Sequence, residues 1–162
     1  MNALPGRATW VVLGTLLVAW LLTILPMPGW AVVLRPQWTA LVLIFWVLTL
    51  PDRIGVFWSF FVGLMLDVVA GTVLGQHALS FSVMGYLVVE LQQRIKLFHF
   101  WQQTLSVWLL LTAERLLSLW ILGATGQPMP TLTYWLAPVV GMLLWPWLYL
   151  LLRDLCQQLD LC

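Results

Sequence analysis

The sequence predicts an all-α integral membrane protein, with six transmembrane helices forming a single polytopic domain over residues 1–162. Three observations carry this reading. Hydrophobic residues make up 62% of the chain. Charged residues make up only 8%, where a soluble domain carries about 25%. Proline, glycine and polar breaks divide the chain into apolar segments, most of them long enough to cross a bilayer. The connections are too short to hold a separate soluble domain.

The expected spans are roughly 8–25, 38–50, 54–74, 77–92, 100–123 and 134–152. The first follows Arg7 and is longer than the apolar core of an ordinary signal peptide. Gly29-Trp30-Ala31 is a poor cleavage site, so the segment is expected to stay in the mature protein. Pro26, Pro28 and Gly29 end it. Pro36 opens the second segment near its start, where proline is tolerated, and Pro51 closes it. Gly71 and Gly75 part the third segment from the fourth. Arg94, Lys96 and His99 part the fourth from the fifth. Gly123, Gly126, Pro128 and Pro130 form the loop before the sixth.

The second segment is short. Trp38 to Leu50 gives about 20 Å of helix against a hydrocarbon core of about 30 Å. Charge placement nevertheless argues that it spans. With six spans, Arg7, Arg53, Arg94, Lys96 and Arg153 fall on one side and Arg35 on the other. That bias puts both termini in the cytoplasm. Without the second span the bias disappears. Tryptophans 10, 30, 38, 58, 101 and 135 lie near span ends, as an aromatic belt requires. Trp20, Trp46, Trp108 and Trp120 lie deeper and suit packing or lipid contact.

Asp67 is the most informative residue. It stands alone in an apolar run, where a carboxylate persists only if it faces protein or a water-filled cavity. Gly63 and Gly71 flank it at i−4 and i+4, on a face that permits close approach of a helix or ligand. Three uses fit: an internal contact with Asp67 hydrogen-bonded, a binding face for a partner helix or small ligand, or a proton relay. Glu114-Arg115 in the fifth segment is the second charged constellation, and adjacent residues on a helix cannot both face one partner directly. Glu114 shares a face with Ser118, and Arg115 is expected to pair with Asp67 or Glu114 because an unpaired buried guanidinium is costly. His77 follows Gly75 at the outer end of the third–fourth hairpin. Solvation or capping suits it, and metal binding needs further ligands that are not nearby. Ser82, Tyr86 and Glu90 share a helix face that either lines a cavity or packs in the bundle. Arg35 suits an interfacial anchor or a partner for a carboxylate, a phosphate or another protein.

No nucleophile–base motif, zinc signature, P-loop or dinucleotide fingerprint is present, and no cofactor is implied. No basic run points to nucleic acid. Cys156 and Cys162 match no metal or redox spacing and suit a reduced cytoplasmic tail.

Several motifs together resemble the rod shape-determining protein MreD family, proteobacterial type. They are Arg35-Pro36-x-Trp38, Leu50-Pro51-x-Arg53, and Gly63-x3-Asp67-x3-Gly71-x2-Leu74-Gly75-x-His77-Ala78-Leu79-x2-Ser82-x3-Tyr86. Trp101-Gln102-Gln103 and Leu144-Trp145-Pro146-Trp147 add to them. The resemblance implies a multi-pass inner-membrane component of the bacterial elongation machinery that maintains rod shape. Implied partners are MreC through its transmembrane helix, MreB, RodA and a class B penicillin-binding protein, with membrane lipids and a second copy of the chain as further contacts. It also implies a fold similar to the substrate-binding subunits of energy-coupling-factor transporters. The expected function is a non-enzymatic scaffold; the alternative is a small-molecule or lipid-binding protein with a pocket near Asp67 and Arg115. The residues expected to serve a partner or ligand are Arg35, Gly63, Asp67, Gly71, Gly75, His77, Glu114 and Arg115.

Overall fold

A computed structural model describes residues 6–161. The reading of Cys156 and Cys162 as a reduced pair involves Cys162, which lies outside the described residues. Every regular element among them is helical: α1 (Gly6–Ile24), α2 (Gly29–Val32), α3 (Trp38–Thr49), α4 (Val56–Ala70), α5 (Gln76–Leu97), α6 (Phe100–Ala124), a 3-10 turn (Leu132–Trp135) and α7 (Leu136–Gln158). Three stretches are long and apolar enough to cross a membrane: Gly6–Ile24, Phe100–Ala124 and Leu132–Gln158. Helices α3 and α4 are apolar but shorter.

Helix α3, the shortest of the helices longer than one turn, occupies the middle. All residues of α3 from Thr39 to Leu48 are buried. A helix that is apolar on every side needs such a site, because no face of it prefers water. Around it stand α1, α5, α6 and α7, each in contact with α3. Helix α4 packs mainly on α5 and also touches α1. Phe45 and Trp46 meet edge to face at 5.3 Å, and Tyr149 of α7 closes on Phe45 at 5.7 Å. Trp46 Nε1 donates to Thr15 Oγ1 of α1 at 2.9 Å, so its polar edge is satisfied inside the core. Trp145 is also fully buried, one residue before Pro146 inside α7.

The outward faces are apolar. Leu17, Leu21, Phe57, Phe61, Leu109, Trp120, Leu143 and Trp147 are all exposed. Such a surface is unsuited to water over this extent and suited to lipid. Tyr86 and Glu90 face outward as well. The part of that face formed by Tyr86 and Glu90 therefore does not pack in the bundle, while Ser82 is half-buried. Ser82 Oγ instead donates to the Ala78 carbonyl at 2.6 Å.

Helix ends gather at two poles. Ala8, Leu50, Arg53, Asp160 and Leu161 border one small cavity, which brings the start of α1, the α3–α4 connection and the end of the chain together. The opposite pole gathers the α1–α3 connection, the start of α5 and the approach to α7, with Glu114 and Arg115 from the middle of α6.

The third expected span is longer than its helix. It was expected over 54–74, but α4 stops at Ala70. Gly71 adopts φ 68°, and the Gly71 and Thr72 amides both return to the Asp67 carbonyl, the Thr72 bond measuring 3.1 Å. This is a Schellman-type stop, which favours glycine because L side chains are strained in that region. Asp67 therefore sits in the last turn of α4 and not at mid-span. Helix α5 runs the other way, five residues past its expected end at 92, and carries Arg94 and Lys96 in its last turn.

Two glycines set the closeness of the α4–α5 hairpin. A Cβ on Gly63 would lie 2.6 Å from the His77 carbonyl carbon and 2.7 Å from the Ala78 Cα. A Cβ on Gly85 would meet the Ser59 side chain. Gly63 faces unyielding backbone, whereas Gly14 in α1 has open space around it. Gly63→Ala should therefore lower stability by about 1–3 kcal/mol, while Gly14→Ala should raise it by up to about 1 kcal/mol through helix propensity. Thermal or denaturant unfolding in detergent micelles checks the contrast in sign.

Candidate functional site

The site lies at the pole formed by the α1–α3, α4–α5 and α6–α7 connections. Its foundation is the Asp67 carboxylate, which is 1% exposed. Oδ1 accepts from Thr72 Oγ1 at 2.7 Å, from the His77 amide at 3.0 Å and from His77 Nδ1 at 2.8 Å. Oδ2 accepts from the Gly75 amide at 3.0 Å and the Ala78 amide at 3.3 Å. The amides of Gly75, His77 and Ala78 belong to the start of α5, where the helix has no internal acceptors for them. A carboxylate from the last turn of α4 thus caps the following helix and meets the positive end of its dipole.

Local sequence explains why the chain turns this way. Gly71 ends α4 in the left-handed region, and Gly75 starts α5 at φ 98°. The intervening turn folds back tightly enough to deliver three amides to one side chain eight to eleven residues earlier. The His77 ring must carry hydrogen on Nδ1 to meet the carboxylate, and it also packs edge to face on Phe81 at 5.8 Å. The contact between His77 and Asp67 is the one ion-pair geometry among the described residues.

A second polar string crosses α3, α6 and α5. Gln37 Nε2, at the start of α3, donates to Glu114 Oε2 of α6. Ser118 Oγ donates to Glu114 Oε1 at 2.9 Å, and Ser118 lies 3.1 Å from Ser80 Oγ of α5. Ser80 in turn donates to the Gln76 carbonyl at 2.8 Å. Glu114 is 2% exposed, so these donors replace the water that it loses.

Arg115 behaves differently from the expectation. It pairs with neither Asp67 nor Glu114. Asp67 is filled by His77, Thr72 and backbone amides, and Glu114 points to Gln37 and Ser118. The guanidinium instead lies over the Tyr134 ring, 4.3 Å from its centre, a cation–π arrangement. Arg35 closes the end of α1: its two terminal nitrogens donate to the carbonyls of Thr23 at 2.6 Å and Leu25 at 2.5 Å. A cation at a helix C-terminus satisfies orphan carbonyls and meets the negative end of the dipole.

These pieces border one cavity of about 310 Å³. Arg35, Gln37, His77, Glu114, Arg115 and Tyr134 line it. Of the residues singled out in the sequence, Arg35, His77, Glu114 and Arg115 meet at the cavity. Asp67 and Gly75 stand behind His77, and Gly63 lies against the His77 backbone. Gly71 serves as a helix stop with open space around it. Gln37, Thr72, Ser80 and Tyr134 were not anticipated. No linear spacing signals a contact such as Gln37 to Glu114, which are 77 residues apart.

The described residues define an all-helical membrane protein with a polar cavity at one pole of the bundle. A model of the family described as rod shape-determining protein MreD matches residues 7–155. The rod shape-determining protein MreD of Haemophilus influenzae is 32% identical over 153 residues, covering 93% of each chain. No solved structure matches the chain. The chain belongs to the MreD family of rod shape-determining proteins.

The Asp67 latch makes a direct stability prediction. Asp67→Asn replaces one acceptor oxygen by a donor, which then confronts backbone N–H groups. It should destabilise the fold by about 3 kcal/mol, the range for unmatching a buried charged acceptor. Thr72→Val removes one donor and should cost about 1 kcal/mol. Unfolding midpoints of the two variants in one detergent measure the difference.

Proposed function

We propose that this protein is a non-enzymatic inner-membrane scaffold of the cell-elongation machinery, a single polytopic domain that crosses the membrane six times. Membership of a rod shape-determining family is the observation that carries this reading. The charge distribution supports the topology. The pole that holds the start of α1 and the end of α7 also holds Arg7, Arg53, Arg94, Lys96 and Arg153. At the other pole Arg35 is neutralised in effect by helix carbonyls. By the positive-inside rule the basic pole is cytoplasmic and the cavity faces the periplasm. Helix α3 is too short to cross alone, but it is sheathed by protein, so its ends need not reach lipid headgroups.

In this reading the protein works by contact with partner transmembrane helices. The single span of MreC is the first of these, within a wider assembly of MreB, RodA and a class B penicillin-binding protein, and a second copy of the chain is a further one. Gly63, Asp67, Gly71, Gly75 and His77 serve that contact by holding the α4–α5 hairpin in one shape, and Arg35, Glu114 and Arg115 by shaping the periplasmic pole. A second reading, a small-molecule or lipid site near Asp67 and Arg115, has one observation in its favour: the Arg115 guanidinium meets no carboxylate among the described residues.

Two measurements test the scaffold reading. A reporter fused at the chain end should read cytoplasmic, and one inserted between Thr125 and Pro130 should read periplasmic; the reverse pair refutes the topology. Photo-crosslinkers placed singly at the outward residues Phe57, Phe61, Leu109 and Leu143 should trap a single-span subunit of the elongation machinery from at least one helix face. Turnover of a lipid-linked wall precursor by the purified chain alone would contradict a scaffold.

A further inference from the structure

Four residues that line the cavity at the periplasmic pole each carry a buried polar atom that bonds to nothing among the described residues: Arg35 Nε, Gln37 Oε1, Trp38 Nε1 and Arg115 Nε. Buried polar groups are normally satisfied, and a cluster of unmet ones around a single void has a chemical meaning. The amide of Gln37 is oriented by Glu114, which takes Nε2. Its Oε1 is therefore an acceptor that awaits a donor. Arg115 is stacked on Tyr134, and a guanidinium held by its face keeps its N–H groups free at the edge for an anion. Two guanidinium groups line the cavity against one carboxylate, and the oxygens of that carboxylate already accept from Gln37 and Ser118. Leu66, Phe81 and Ala137 supply apolar wall. At about 310 Å³ the cavity is at the small end of ligand sites. That volume suits a headgroup and not an acyl chain.

Resting on the second reading above, we propose that this cavity binds a phosphate ester that bears hydroxyl groups. The phosphate sits on Arg115 and a hydroxyl donates to Gln37 Oε1. The same chemistry is offered by the headgroup of an anionic phospholipid and by a free polyol phosphate.

The test uses the full chain in nanodiscs of phosphatidylglycerol or phosphatidylcholine, released into detergent, with retained lipid counted by native mass spectrometry. Phosphatidylglycerol should be retained about tenfold more than phosphatidylcholine, the scale of one charge-assisted contact. Arg115→Gln and Gln37→Leu should each remove most of that preference. Displacement of retained phosphatidylglycerol by soluble sn-glycerol 3-phosphate would support the proposal with a free headgroup as a sufficient ligand; retention despite it would support the proposal with the lipid as the source. Equal retention of the two lipids by the wild-type chain, a comparison that needs no variant to fold, would overturn the assignment of ligand class while leaving lipid binding in place. Retention of neither lipid would overturn both. Preference for phosphatidylglycerol unchanged in both variants would overturn the cavity as its origin.

Discussion

One buried carboxylate organises the pole on which the rest of the site stands. Asp67 ends α4 and starts α5. Its two oxygens collect a hydroxyl, an imidazole N–H and three backbone amides. In an apolar setting each of those donors would cost free energy if left unmet, and so would the carboxylate. Their mutual satisfaction makes the α4–α5 hairpin a closed polar unit inside an apolar bundle. The close approach at Gly63 and Gly85 is the packing counterpart of the same unit. The hairpin positions His77, and His77 forms part of the wall of the cavity.

The second constraint is the burial of α3. A twelve-residue apolar helix at the axis gives the surrounding helices a common surface. It also delivers Gln37 to Glu114 from its N-terminal end, which couples the α1–α3 connection to α6. The α6–α7 connection then returns Tyr134 to Arg115. Three connections distant in sequence thus converge because helix axes alternate in direction, and Glu114 and Arg115 meet them from the middle of α6.

Much of this was legible in the sequence, for identifiable reasons. Helix limits were marked by Pro51, Gly71, Gly75 and His99, each of which acts on the local backbone, whereas Arg94 and Lys96 lie inside the last turn of α5. Asp67 stood out because a lone charge in an apolar run has few physical uses. What it bonds to was not legible, since three of its five donors are backbone amides and carry no side-chain signature. Gly71 shows the limit of spacing arguments. At i+4 from Asp67 it fits a small-residue stripe, and only its φ of 68° distinguishes a helix stop from a contact face. Arg115 was expected to find a carboxylate. Coulomb attraction alone favours that, but the nearby carboxylates are satisfied by other donors, and the Tyr134 ring takes the guanidinium. The choice rests on long-range geometry between residues 19 positions apart.

The central claim is that Asp67 caps α5 through backbone amides. Residue-resolved amide hydrogen exchange in the wild-type chain tests it most directly. The first-turn amides of an uncapped helix exchange freely, and α4 supplies that internal reference because no side chain caps its start. The account predicts that the amides of Gly75, His77 and Ala78 exchange as slowly as those in the middle of α5, and far more slowly than those of Val56 and Phe57. Exchange of the three at the rate of the α4 first turn would contradict it.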